Sequence, residues 1–419
     1  MVSLIVMTHR FGVLRRFRFN LPQRIAAGLL AAFLLQGLWV TAHQTLTDRD
    51  YQYARCGRET WERPSALAGY YTTCGNIHDG ILAYRLAGLP LTLNFMGERF
   101  LDVFRKPEDR VVQPADSGGQ VSSEAGSELS TWELRHQMSH ILLLLRLPFL
   151  LVGCVLGGCL WWVSRRLYGN LGGYTALALY CFCPAVLRAC LNPNPEVLAT
   201  LGVFGGVYTA IGVAHAMQGP RRKWRPRIVM LMVIFGVAAA SHIAALPVTA
   251  LLGLVAMLWV AEGRRSQVLP VLVPASIGAL AVVFTAYGFS PDAFSYVFRS
   301  AAGFLWFSLD PAQRFFKSLP EAAITVAAAA ALVLYVALRR SRYFGNTVPL
   351  FCALVCILLV MTGSPGSPWL WSLPFLFTFI GGVFADAYES PRRRIAMASA
   401  GAVVLLQAVM CIASLPGMV

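Results

Sequence analysis

The sequence predicts an all-α polytopic membrane protein with about eleven transmembrane helices and a large first outer loop. Three observations carry this reading: the composition, the spacing of the apolar runs and the alternation of basic loops. Of 419 residues, 57% are hydrophobic and only 13% charged, far below the roughly 25% charged residues of an average soluble domain. A bilayer core takes about 20 apolar residues per helix, and runs of that kind recur along the chain. The 35 basic residues exceed the 20 acidic ones, for a net charge of +15. In a polytopic chain such an excess reports topology, because cytoplasmic loops collect Lys and Arg. Nucleic-acid binding, another reading of a basic protein, is set aside.

Residues 1–24 form a basic cytoplasmic segment carrying Arg10, Arg15, Arg16, Arg18 and Arg24, and the first span follows at 25–42. A cleaved leader also follows a basic segment, but this run is long enough to span, and cleavage would not move the next loop. Further spans are expected at 141–163, 171–187, 197–217, 228–240, 243–261, 268–289, 322–338, 347–361, 369–385 and 395–412. The run 228–261 would be about 50 Å long as one helix at 1.5 Å per residue, so a break is placed near Ser241 and His242. With this division the basic clusters at Arg165 and Arg166, 221–227, Arg264 and Arg265, 339–342 and 392–394 all fall on the side of the amino terminus. The other side receives the loop 43–140, the "LNPNPE" turn, the His242 turn, the loop 290–320, "GSPGSP" and the carboxyl terminus. Thirteen of the 20 acidic residues lie in 43–140, which makes the asymmetry strong. The expected order is therefore span one, the outer loop 43–140, spans two to seven within 141–289, an outer interfacial loop at 290–320, and spans eight to eleven within 321–419.

Within the first outer loop, "DRDYQYARCGRETWERP" has helical spacing, with Arg55 and Glu59 or Arg58 and Glu62 four apart and able to pair, and Pro64 ends it. "NIHDGILAYRLAGLPLTLNFMGERF" mixes apolar residues with Arg85 and Arg99; it fits an interfacial helix or one packed on the bundle. The Ser-, Gly- and Glu-rich stretch 111–130 reads as flexible. Eight of ten cysteines sit in or beside apolar runs, where a thiol is a packing residue. Cys56 and Cys74 share the polar loop and could pair if it faces an oxidising space.

Ionisable residues in or beside spans are costly in lipid and mark candidate sites. Arg146, Arg188, Glu196 and His242 all fall towards the outer face, at the level of Asp48 and Asp50. Each has a bland reading: snorkelling arginines, an acid at a helix start, a hydrogen-bonded turn histidine, solvated loop acids. None of these predicts one shared depth. His215, near the inner end of its span, is the exception. The loop 290–320 adds Arg299, Arg314 and Lys317 among aromatics, which suits either an interfacial anchor or a cover for an anionic amphiphile.

Taken together, "TDRDY" just after the first span, "LRLPFLLVGCVLGGCLWWVSRRLYGNLGG" at 145–173, and "RACLNPNPEVLAT" with Glu196 before the fourth span resemble the GT-C-type glycosyltransferases. The likeness is greatest to the bacterial branch of protein O-mannosyltransferases and lipid A aminoarabinose transferases. The "K-P-P-L" element of that branch is absent, with "NIHDG" in its place, so His78, Arg85 or later arginines would replace its lysine. The resemblance implies a GT-C-like fold in a bacterial inner (cytoplasmic) membrane, amino terminus inside and carboxyl terminus outside. It implies transfer of a sugar from a polyprenyl-phosphate donor to a hydroxyl of a lipid, polysaccharide or protein acceptor. Asp48, Asp50 and Glu196 are the implied catalytic or divalent-metal-holding acids, with Asp48 as base and the two aspartates exchangeable. Arg146, Arg188, Arg299 and Arg85 are the phosphate candidates, and His242, His78 and Tyr51 accompany them. A transporter or flippase using the same charges, and a scaffold presenting the first loop, are the rival readings.

Overall fold

The computed structural model describes residues 20–62, 80–104, 131–219, 224–289, 291, 319–360, 367–391 and 393–419. Among them there is no strand, and thirteen α-helices follow one another. These are α1 (Leu21–His43), α2 (Asp48–Glu62), α3 (Ile81–Phe104), α4 (Thr131–Cys181), α5 (Pro184–Leu191), α6 (Glu196–Met217), α7 (Arg225–Ser241), α8 (Ala245–Val260), α9 (Val268–Ala286), α10 (Leu319–Ala337), α11 (Phe344–Val360), α12 (Pro368–Tyr388) and α13 (Arg393–Ser414). Six helical stretches are long and apolar enough to cross a membrane: α1, Ser139–Cys181, α6, Arg265–Ala286, α12 and α13. The helices Ala245–Val260, Ala323–Ala337 and Phe344–Val360 are apolar but shorter.

The 51 residues of α4 are two antiparallel limbs. Gly169 has φ 75° and ψ −169°, a conformation essentially confined to glycine, and the chain folds back there. The proof is a contact that a straight helix forbids: the Tyr180 hydroxyl donates to the Gly153 carbonyl at 2.6 Å, across 27 residues that would span about 40 Å if continuous. The second limb is shorter than the expected span 171–187. It ends at Cys181, and Cys183 is extended (φ −90°, ψ 113°) ahead of Pro184. A residue before proline is pushed out of the helical region, so α5 begins as a separate short helix. The expected break in 228–261 is present: α7 ends at Ser241 and α8 begins at Ala245.

α12 is the innermost helix. Eighteen of its residues are buried, among them Trp371, Phe375, Phe377 and Phe379, and it packs on α4, α6, α10, α11 and α13. The peripheral helices turn apolar side chains outward: Leu269, Val273 and Ile277 on α9, Val333 on α10, and Leu405, Val409 and Ile412 on α13 are each more than half exposed. Apolar faces of that extent are stable against hydrocarbon and not against water.

α2 and α3 cross one end of this bundle. They meet where two glycines face each other; a Cβ on Gly57 would lie 2.7 Å from the Gly88 nitrogen, and one on Gly88 would lie 2.1 Å from the Gly57 carbonyl carbon. The underside of the pair (Tyr53, Cys56, Ala83, Tyr84, Ala87, Leu91) is buried with Leu145 and Phe149 of α4 and Leu198 of α6. Tyr53 and Tyr84 stack there at 4.2 Å and 5°. The start of α3 is tied to the ends of α7 and α9, with Ile81 packed on Ala239, Ala240 and Val283 and its N–H donating to the Tyr287 hydroxyl at 3.3 Å. Cys56 is disulfide-bonded, the eight cysteines of the apolar runs are free, and Cys74 lies outside the described residues.

Candidate functional site

The stretch Thr47-Asp48-Arg49-Asp50 starts α2, and its spacing dictates the geometry. Thr47 is the N-cap: its carbonyl accepts from the Tyr51 N–H at 3.0 Å, and its hydroxyl accepts from the Asp50 N–H at 3.2 Å. Asp50, three residues on, returns the contact, accepting from the Thr47 N–H at 3.0 Å and its hydroxyl at 2.8 Å. This is a reciprocal capping box with Asp in place of the usual Glu. It turns the Asp50 carboxylate inward and leaves Asp48 exposed beside it.

Below Asp50 stands Arg146. Its Nη2 lies 2.6 Å from Asp50 Oδ2 and its Nε 3.3 Å from Oδ1, so the guanidinium grips both oxygens. Both side chains are 1% exposed. Arg146 Nη1 also donates to the Gln44 side-chain oxygen, and Gln44 Nε2 donates to the Met418 carbonyl. One polar chain thus runs from residue 418 through Gln44 and Arg146 to the first turn of α2. Arg146 does not snorkel; it is enclosed, with five donors of which three have named acceptors.

Glu196 is held in a second constellation at the same end. The "NPNP" turn bends α5 into α6: Asn194 Oδ1 accepts the Glu196 N–H at 3.0 Å, and Asn194 Nδ2 donates to the Ala189 carbonyl at 3.2 Å. The Glu196 carboxylate accepts from the buried Trp371 indole at 3.0 Å. His242, 4% exposed, sets its ring edge-on to Trp371 at 5.9 Å. Leu198, one residue pair further along α6, shares the buried cluster of Tyr53 and Leu145, so both constellations lie beneath α2 and α3.

The structure therefore joins Asp50 directly to Arg146, and Glu196 to Trp371 and His242. It does not bring the three acids into one group. Among the described residues no three His, Cys, Asp or Glu side chains gather as a metal-holding set, and Asp50 has both oxygens committed to a cation. A divalent ion on Asp50 would share that carboxylate with Arg146, whereas the exposed Asp48 carries no such cation among the described residues. Arg188 is exposed at the end of α5. Arg85 lies over the Trp61 ring at 5.3 Å, whose indole donates to the Arg85 carbonyl at 2.8 Å. Tyr51 is 59% exposed. Arg299 and His78 lie outside the described residues, and His215 is exposed at the far end of α6.

Sequence reasoning missed Thr47, Gln44 and Trp371. For Thr47 the signal was present, since T-x-x-D before a helical pattern is a capping signature. Gln44 and Trp371 acquire their roles only through partners more than a hundred residues away. In comparison with protein-family models, characterised proteins and solved structures, the chain matches none.

Proposed function

We propose that this protein is an integral membrane glycosyltransferase of GT-C type, with eleven crossings and its reaction centre at the end of the bundle covered by α2 and α3. It moves a sugar from a polyprenyl-phosphate carrier to an acceptor hydroxyl. The observation that supports this reading is the collection of Asp48, Asp50 and Glu196 at two helix starts, with Arg146 and Arg188, at one end of an otherwise apolar bundle. A lipid-linked donor suits that place, because its tail stays among the outward apolar faces while its phosphate reaches the polar end. Among the described residues, the buried Asp, Arg and His side chains, Asp50, Arg146 and His242, all lie there; a transport pathway commonly places ionisable groups near the midplane as well.

In this proposal Asp48 is the base. It is the carboxylate of the pair that Arg146 leaves open, and it accepts the acceptor's hydroxyl proton as that oxygen attacks the anomeric carbon. The bond from that carbon to the carrier phosphate breaks, and the phosphate leaves with the electron pair, its charge met by exposed cations such as Arg188. Asp50 and Arg146 hold the first turn of α2 so that Asp48 is presented in one orientation, and Glu196, fixed by Trp371, orients the acceptor.

The test is donor consumption by the purified protein over a panel of polyprenyl-phosphate sugars, with and without chelator. Asp48→Asn should lower turnover by about 10²-fold or more, the range for a lost general base, with the fold retained. Full activity of Asp48→Asn on a native donor would sink the assignment, and no consumption of any donor would sink the reaction class.

A further inference from the structure

At the opposite end of the bundle, about 33 Å from Arg146 along α4 at 1.5 Å per residue, lies a cleft of about 570 Å3. Its walls come from the Gly169 turn of α4, the link between α10 and α11, and the end of α12. Tyr168, Arg340, Tyr343, Asp386 and Glu389 supply the polar and aromatic lining. The volume is that of a small-molecule site, and nothing in the glycosyl-transfer reading uses it.

The lining is organised rather than incidental. Asp386 is half-buried, with Oδ2 accepting from Asn346 Nδ2 at 2.8 Å. The same Nδ2 donates to the Ser341 carbonyl at 3.1 Å. Two acceptors on one nitrogen fix the amide orientation, and the fully buried Asn346 Oδ1 is left with no hydrogen-bond partner. The Tyr168 hydroxyl is committed to the Gly345 carbonyl, so this residue offers its ring; the Tyr343 ring stands edge-on to it at 6.5 Å and 73°. Burial, with Asp386 and Glu389 adding to it, pushes the Tyr343 hydroxyl above its ordinary value. At the mouth Arg340 pairs with Glu389, and both side chains are more than half exposed. An exposed pair of that kind is weak and readily exchanged.

An inner carboxylate flanked by two tyrosine rings suits a compact cation, and a guanidinium at the rim suits a phosphate. We propose that this cleft binds a primary ammonium joined to a phosphate, the chemistry of an ethanolamine phosphate group, with the ammonium against Asp386 and the phosphate taken by Arg340 as it leaves Glu389. The ligand can come from two sources, a phospholipid headgroup of the adjoining leaflet or a soluble phosphoamine.

Native mass spectrometry of the detergent-purified protein with phosphatidylethanolamine or phosphatidylglycerol, and thermal shift with free O-phosphoethanolamine, separates the sources. The wild type should retain phosphatidylethanolamine over phosphatidylglycerol, or be stabilised by the free compound alone if the ligand is soluble. Asp386→Asn keeps an acceptor for Asn346 but removes the charge, and should weaken the effect about tenfold or more, the value of a charged hydrogen bond. Should that variant fail to fold, Arg340→Gln combined with Glu389→Gln changes only the exposed rim and should weaken retention of the phosphoamine by removing its phosphate contact. Equal retention of both lipids with no response to the free compound overturns the proposal, as does binding unchanged in these variants.

Discussion

Asp50 and Arg146 illustrate how one buried charge can be tolerable only because of the other. Each is desolvated, and every nitrogen or oxygen of each side chain's charged group has a hydrogen-bond partner. Removing one partner strands a buried ion, a loss of about 3–5 kcal/mol, whereas replacing both with apolar groups of similar size is often close to neutral. Asp50→Leu and Arg146→Leu should therefore each lower the unfolding temperature in detergent, and the double variant should recover much of the loss. Strict additivity would show that the pair is not coupled. Activity should stay low in the double variant, because the turn that presents Asp48 loses its anchor. The acids of "TDRDY" were legible in the sequence as a polar centre beside a span. Their different fates were not, because the side chain that separates them is 96 residues away. From the sequence alone Arg146 reads as a phosphate contact; that it serves a buried carboxylate depends on a partner 96 residues away.

At the scale of elements, the junctions depend on backbone shape more than on side-chain chemistry. The α2 and α3 helices meet backbone to backbone at Gly57 and Gly88, and a side chain at either position has no soft neighbour to displace. Gly88→Val should prise the two helices apart and expose Tyr53 and Tyr84, seen as faster proteolysis of this region while the spans remain protected. Unchanged proteolysis would mean that the crossing yields easily. The helical pattern of α2 was readable from its charges, and of the two expected pairs Arg55 meets Glu59 at 3.5 Å, while Arg58 lies over Phe95 at 4.8 Å. The division at Ser241 was readable from length alone. The early end of the third span at Cys181 was written in Pro184, but a continuous apolar run of the right length outweighed it. The turn at Gly169 was expected from basic residues between two spans; its sharpness, set by one positive φ, was not.

For the whole molecule, the two ends of the bundle differ in kind. One gathers Asp50, Arg146, Glu196 and His242 under α2 and α3, and the other gathers Tyr168, Arg340, Asp386 and Glu389 around the cleft. If the proposed orientation is right, Ser123→Cys, in the part of the first loop outside the described residues, reacts with an impermeant maleimide from outside intact cells. Ser390→Cys, beside the cleft, reacts only after permeabilisation. The reverse pattern inverts the protein in the membrane. The alternation of charge is what assigns these sides as an expectation from the sequence, since it averages over many residues. Which residues touch within each end depends on helix packing, to which a count of charges is blind.

The link from Gln44 to Met418 also sets an order in time. These residues are 374 positions apart, so at about 5–20 residues per second a ribosome needs roughly 20–75 seconds to travel between them. Through that interval α1, α2 and the Arg146 limb can already lie in place, but the Gln44 amide that holds Arg146 has yet to meet its own acceptor. The polar end of the bundle is therefore begun with α1 and closed only once residue 418 has been made, so that a nascent protein carries an unlatched centre throughout that interval.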